Sequence, residues 1–459
     1  MAATGAGAPS RRPVTLIAGV PRTVRRLEEQ LRWARSASAV EGSTARAEAA
    51  GGACHTACMA DDALDDGTIS RIARRAVGDE NARLLDWRSE AVAYDAWLPG
   101  RTLTRVRGTA RSSTGHRVVW SAILKTTDPP SITPGAAVEG GRREALAYRS
   151  GLLDDIPGGL KAARAFEVDL TEGGGVRLWL EDVVDDFDER WPLEQYRQVA
   201  RHLGRFNAAS LAGGGLQAPP WLKGGWAEYH SAPATIPQGL LEVESLSRDE
   251  RVDRAFGTDI SAPAARLLKD QERFIELLAD LPQALCHHDA QRANLFARRH
   301  NDGSTETIAI DWESIGPGAV GAEIATLVSG TIGRGDWPAE RASELDSEVF
   351  AGYVEGLRDA DWAGDENVVR LGYAAGLALR WWRLRATLRA LTDPEVPAVL
   401  GRARDVPRRE ALLSFVSFAR YLLDRADEAR ELAGRRGFSP GSSRSRAAAR
   451  PPGAGMSRA

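Results

Sequence analysis

The stretch from Leu285 to Glu313, which reads LCHHDAQRANLF, ARRHNDGSTET and IAIDWE, constrains this chain more than any other. It holds two short apolar β runs joined by a polar turn, His300-Asn301-Asp302-Gly303. Asp289 sits just before the first run, Asn294 opens it, and Asp311 ends the second. A hairpin in this register brings Asn294 and Asp311 together, with Asp289 on the loop beside them. One carboxylate and one amide oxygen make a poor cage for a metal by themselves. They suit Mg²⁺, which completes its octahedron with phosphate oxygens and water. Asp289 is then left to accept a proton from a hydroxyl.

His287-His288-Asp289, Asn294 and Asp311-Trp312-Glu313 together resemble the aminoglycoside phosphotransferase and choline kinase group, relatives of the protein kinases. That group's usual pattern is His-Gly-Asp, with Asn five residues after the Asp and a hairpin ending in Ile-Asp-Trp-Glu. The resemblance implies that Asp289 is the catalytic base and that Asn294 and Asp311 are magnesium ligands. The chain departs from the pattern at His288, where Gly is usual, and at Gln291, where His is frequent. A metal-hydrolase reading of His287, His288 and Asp289 is disfavoured, because adjacent side chains on an extended loop point apart and no second ligand cluster appears.

Upstream, Arg101–Arg111 and Arg117–Thr126 read as β strands, after a helix around Thr68–Ala76. The second run, VVWSAILK, delivers Lys125 at its end in a chain with four lysines, the other 56 basic residues being arginine. A lysine there can reach nucleotide phosphates as a compact charge. Glu144 follows in REALAYRSG, and the resemblance implies that it pairs with Lys125. The phosphate-covering loop is expected near Leu98–Ala110, with Gly100 and Gly108 and no G-x-G-x-x-G. Arg164–Asp169 and Val176–Glu181 complete a sheet. Its end is the expected interlobe hinge, where the backbone around Glu181 to Val183 would hold adenine.

Helical patterns then dominate: Leu193–Ala212, Ala264–Asp280, Glu340–Leu357, Glu366–Leu391 and Arg408–Glu431, with a Pro/Trp/Gly-rich connector over Gly213–Pro263. Trp381-Trp382 lies in one of these helices with Arg380, Arg383, Arg385 and Arg389. This cluster reads as core packing with a solvated Arg face, the alternative being a place to stack a sugar or hold an anion. The fold class is therefore α+β: a bilobal, protein-kinase-like fold with a small β-rich lobe at 59–182 and a larger, mainly helical one at 183–433.

Residues 1–58 carry eight Arg and four Glu among Ala, Gly and Ser, and residues 434–459 carry six Arg and no acid. Both read as disordered ends, with Met59 as a possible true start. Removing them from the chain's net charge of −3 leaves −13 on residues 59–433, which argues against nucleic acid as a partner. There is no apolar run of about 18 residues to span a membrane. Three cysteines offer no disulfide framework, which fits a cytoplasmic protein.

The functional expectation is transfer of phosphate from ATP (or GTP) with Mg²⁺ to a hydroxyl of a small molecule. The rival is a catalytically silent, nucleotide-binding regulatory protein. The segment Glu323–Glu366 holds eleven acids against Arg334, Arg341 and Arg358. Because helices in this part of the resembled family line the acceptor site, the expected acceptor carries ammonium groups, as an aminoglycoside, amino sugar or amino alcohol does.

Overall fold

The computed structural model describes residues 64–92, 100–129, 136–171, 173–187, 190–212, 219–222, 235–398 and 406–436. The expectations for residues 1–58, for the tail beyond 436, for Leu98 and for part of the connector lie outside those residues.

The N-terminal part is a five-stranded antiparallel sheet with one helix on each face. Helix α1 (Asp66–Val77) is capped by Asp65, whose carboxylate accepts the Thr68 N–H. Strands β1 (Arg83–Ala91), β2 (Arg101–Arg111) and β3 (Arg117–Thr127) follow, then helix α2 (Ala136–Arg149). A short β4 (Leu160–Ala162) precedes β5 (Ala165–Leu170) and β6 (Val176–Glu181), and the sheet order is β1-β2-β3-β6-β5. Successive side chains of a strand face opposite ways, so the register settles which residue meets which helix. Leu124 lies opposite Trp179, and both pack with Ile69 and Ile72 of α1. Lys125 lies opposite Leu178, which packs with Ala145 of α2. Lys125 is thereby turned onto the face covered by α2 instead of into water.

Strand β1 was not anticipated, because RLLDWRSEA at the sheet edge is largely exposed and carries no apolar alternation. Gly108, expected in a phosphate loop, lies inside β2 opposite Trp87 and Trp120. A Cβ there would stand 2.3 Å from the Asp86 carbonyl oxygen, so this glycine serves strand packing.

The C-terminal part is mainly helical. Helix α3 (Leu193–Ala212) is followed by α4 (Thr235–Leu246), α5 (Glu250–Phe256), α6 (Ser261–Lys269) and α7 (Gln271–Asp280). The described part of the connector thus contains two helices and the start of α6, and the single helix read over Ala264–Asp280 is two, broken at Asp270. Strand β7 (Gln283–Cys286), the hairpin β8 (Leu295–Arg299) and β9 (Thr305–Ala309), and β10 (Gly316–Ala319) carry the site. Parallel pairing joins β4 to β9, and antiparallel pairing joins β10 to β7. Then come α8 (Ala322–Gly333), α9 (Ala342–Asp359), α10 (Glu366–Ala378), α11 (Trp381–Thr392) and α12 (Arg408–Arg435). The pattern read as one helix over Glu366–Leu391 turns at Leu379-Arg380 into α10 and α11. One large apolar core unites these helices around Trp312, Tyr353 and Tyr373. The architecture is α+β and bilobal, with a β-rich lobe and a larger helical one. Among the described residues no helix is long and apolar enough to cross a membrane.

Candidate active site

The two lobes meet at Lys125. Its Nζ donates to Glu144 Oε2 at 2.6 Å and to Asp311 Oδ1 at 2.5 Å. Glu144 Oε1 accepts the Trp312 N–H at 3.2 Å, which pins α2 to the end of the β8–β9 hairpin. Arg101 of β2 pairs with Glu313 at 2.5 Å, and Arg143 of α2 donates to the Glu313 carbonyl at 2.6 Å. The helix can come this close because α2 presents glycines. A Cβ at Gly140 would lie 3.0 Å from both Arg101 and Glu313 side-chain atoms, and one at Gly141 would lie 2.7 Å from Thr127 Oγ1.

The hairpin places the other residues. Leu295 pairs with Ala309, and the Ile310 N–H donates to the Asn294 carbonyl at 3.0 Å. Asn294 Nδ2 donates to the Asp289 carbonyl oxygen at 3.0 Å and to Asp289 Oδ2 at 2.7 Å. Two acceptors on that side identify the amide nitrogen, so the Asn294 Oδ1 faces the other way. Gln291 Nε2 donates to Asp289 Oδ1 at 3.0 Å. Gln291, where the resembled group frequently has His, thus helps to aim the expected base.

The turn before Asp289 is held from beneath. Glu323, fully buried at the start of α8, accepts the His287 N–H at 2.6 Å and the His288 N–H at 3.0 Å. The Asp289 N–H donates to His287 Nδ1 at 3.2 Å, and His287 Nε2 donates to the Ile310 carbonyl at 2.9 Å. This fixes a neutral imidazole, and burial pushes its pKa down to about 4. His288 and Asp311 are non-glycine residues with φ of 64°. For His288 this accounts for the glycine usual at that position, since left-handed backbone suits glycine best. His288 is retained there by its Nε2 donating to the Pro317 carbonyl at 3.0 Å, with its ring over Gly318. A Cβ at Gly318 would come within 2.4 Å of His288 Cε1. Gly318→Ala is therefore expected to displace the turn, lowering turnover at least about tenfold and destabilising the chain by about 1–3 kcal/mol. Combining it with His288→Gly removes the nearest clash but leaves Cys286 Sγ at 2.9 Å, so it should restore part of both, as thermal denaturation and rate measurements would show.

The electrostatics are those of a site short of positive charge. In their ordinary states Lys125 and Arg101 face Glu144, Asp289, Asp311 and Glu313, a net of two negative charges. Burial, followed by the charges of Asp311 and Glu313, pushes Asp289 up to about 8. Burial and Asp311 push Glu313 up to about 7. Burial opposes ionisation of Asp311 too, but Lys125 and then Arg101 hold it below the usual carboxylate range. Burial works against the Lys125 ammonium, yet Asp311 and Glu144 keep its pKa above the ordinary value. Among the described residues no three His, Cys, Asp or Glu side chains are grouped to hold a metal ion. The donors that remain are the Asp311 carboxylate and the Asn294 amide oxygen. That sparse oxygen set, in a site with surplus negative charge, fits Mg²⁺ arriving with phosphate oxygens.

This chain is similar to solved small-molecule kinases. One is an amicoumacin kinase in complex with AMP-PNP, Ca²⁺ and its ligand, at 14% identity and a TM-score of 0.42, covering 80% of this chain and 96% of that one. A microcompartment-associated aminopropanol kinase shares 16% identity at a TM-score of 0.43, covering 80% and 100%. A choline kinase from Cryptosporidium parvum shares 13% identity at a TM-score of 0.40, covering 76% and 91%. No protein-family model matches the chain, and neither does any curated protein.

The Glu181 N–H donates to the Arg164 carbonyl at 2.8 Å, and its carboxylate pairs with Arg298 at 2.6 Å. Sheet pairing therefore engages that N–H, one of the backbone groups expected around Glu181 to Val183 to hold adenine, and Val183 lies in the half-buried segment after β6. Many acids of 323–366 are engaged by arginines or backbone N–H groups. Arg197 of α3 pairs with Glu348 and Glu355, Arg201 and Arg205 pair with Asp359, and Arg370 and Arg425 pair with Asp346. Arg341 takes Glu344, Arg358 takes Glu366, and Glu323 lies under the turn. Helices α3 and α9 pack closely through Gly204, Gly352 and Gly356, and Glu348, Glu355 and Asp359 are spent in ion pairs at that seam.

Proposed function

We propose that this protein is an ATP- and Mg²⁺-dependent phosphotransferase acting on a hydroxyl group of a small molecule. One observation carries the reading: Lys125 bridges Glu144 and Asp311 across the lobes, while Asn294 ties the Asp289 carboxylate to the same hairpin end. Bound Mg²⁺ would supply charge neutralisation on the phosphates, with Asp311 and Asn294 holding it. Lys125, kept in place by Glu144, meets the α- and β-phosphates. Val183 and its neighbours hold the base of ATP or GTP. Asp289 accepts the hydroxyl proton as the acceptor oxygen bonds to the γ-phosphorus and the bond from that phosphorus to the bridging oxygen breaks, releasing ADP. The acceptor class named from the acidic segment, an ammonium-bearing alcohol, loses most of that support because those acids are paired. ADP release from the full chain with Mg·ATP and a panel of hydroxylated compounds tests the reading. Tight Mg·ATP binding without turnover of any acceptor or of water would favour the silent, regulatory alternative.

The pKa directions add a test. In the nucleotide-free chain burial and neighbouring carboxylates push Asp289 up to about 8 and Glu313 up to about 7, so at pH 7 Asp289 is mostly and Glu313 about half protonated. A cation entering beside them favours their charged forms, so protons leave. Calorimetric titration of Mg²⁺ into the AMP-PNP-saturated chain at pH 7, in buffers of different ionisation enthalpy, should show net proton release, between about 0.5 and 1.5 per site. Proton uptake, or none, would contradict the placement of the cation at Asp311.

A further inference from the structure

Helix α8 runs along the expected base and then beyond it. Glu323 holds the His287–His288 turn, and Thr326 Oγ1 donates to the His288 carbonyl at 3.3 Å. Gly330 lies against Gln291, whose Cβ would be 2.6 Å from a Cβ on that glycine, and Gln291 bonds to Asp289. Gly333 lies against the Arg383 guanidinium, with a would-be Cβ 2.7 Å from Cζ. From Gly330 to Gly333 the helix rises about 4.5 Å, so Arg383 sits roughly one turn past Gln291.

Three guanidiniums gather there. Arg380 Nη2 donates to Thr326 Oγ1 at 2.8 Å. Burial, then Arg383, lower the Arg380 pKa to about 9, while Asp289 raises it; burial, then Arg334, lower that of Arg383. Each is therefore a close neighbour of the next. Elsewhere on α11, Arg385 and Arg389 both meet Glu242, at 2.5 and 2.7 Å. Arg383 differs. Among the described residues it has no carboxylate partner, and its Nε is buried without a hydrogen-bond partner. Arg334 Nε reaches Asp336 only at 3.8 Å. Guanidiniums placed side by side and partly withdrawn from water are costly unless an anion joins them. The place remains open, since the Arg334 side chain is 31% exposed and Arg383 is half-buried.

We infer that Arg383 and Arg334, with Arg380 behind them, bind a carboxylate or phosphate group of the acceptor, about one to two helical turns from the hydroxyl that Asp289 activates. This rests on the phosphotransferase reading and names its acceptor class: a hydroxylated acid or a phosphate monoester.

The full chain, saturated with Mg·AMP-PNP, is titrated by calorimetry with inorganic phosphate, with succinate and with putrescine. Phosphate or succinate should bind, whichever is tighter naming the group, and putrescine should not. Arg383→Ala and Arg334→Ala should each weaken that binding about tenfold or more, with Arg383→Lys intermediate and AMP-PNP affinity unchanged. The exposed Arg334 serves should Arg383→Ala fail to fold. In turnover, a hydroxylated acid should exceed its amide and its amine analogue in kcat/KM by about tenfold or more. Arg383→Ala should remove that preference through the acceptor KM. Equal anion binding by the wild type and both variants, or preference for the amine, overturns the inference and leaves the kinase chemistry intact. Failure to bind AMP-PNP would instead strike the phosphotransferase reading, and the anion titrations without nucleotide would still decide the arginine site.

Discussion

Asp289→Ala is expected to lower kcat by about two orders of magnitude or more, while Mg·ATP binding changes little. The carboxylate lies between the amide groups of Asn294 and Gln291 and touches neither Lys125 nor Glu144 through a hydrogen bond. Removing it leaves the groups assigned to the phosphates in place and takes away the acceptor for the hydroxyl proton. Asp289→Asn separates charge from shape, because the amide fills the same space but cannot take a proton. Equally low rates in the two variants would place the effect on proton transfer. A variant that kept its rate and lost affinity for ATP would make Asp289 a binding group and refute its role as base.

Asp311→Ala should act on the other half of the reaction. Lys125 keeps Glu144 as a partner, so the lysine stays near the phosphates, but the main anionic ligand for the cation is gone. The Mg²⁺ concentration for half-maximal activity should rise about tenfold to a hundredfold, and kcat should fall as well. Because Asp311 has left-handed backbone at φ 64°, alanine adds about 1–2 kcal/mol of strain. Asp311→Asn is the better control, since Asn tolerates that conformation and keeps an oxygen ligand. It should retain a melting temperature close to that of the wild type while showing most of the shift in Mg²⁺ dependence. An unaltered Mg²⁺ requirement in both variants would remove Asp311 from the ligand set.

What could be read from the chain alone is what depends on neighbours in sequence. The β8–β9 hairpin is local: its turn residues and apolar runs set the register, and the register brings Asn294 to Asp311. The strand carrying Lys125 is legible for the same reason, since alternation in β3 assigns that lysine to one face. The structure adds which helix covers that face, and so converts a lysine at a strand end into an ion pair with Glu144. Packing alone decided the rest. Helix continuity misled at Asp270 and Leu379-Arg380, because apolar periodicity persists through a change of direction that tertiary contacts impose. Glu323 looked like one more acid in an acidic segment. Its burial under the His287–His288 turn depends on α8 ending a path that begins at β7, which no local pattern encodes. The tally of acids over 323–366 is incomplete on the same ground. Charge along a sequence ignores the counter-charges that the fold brings from afar, and Arg197, Arg201 and Arg205 come from a helix remote in the chain. The arginines of α11 show the converse: Arg383 and Arg389 look alike in sequence, and only the three-dimensional neighbourhood gives Glu242 to Arg389 and sets Arg383 against Gly333 of α8.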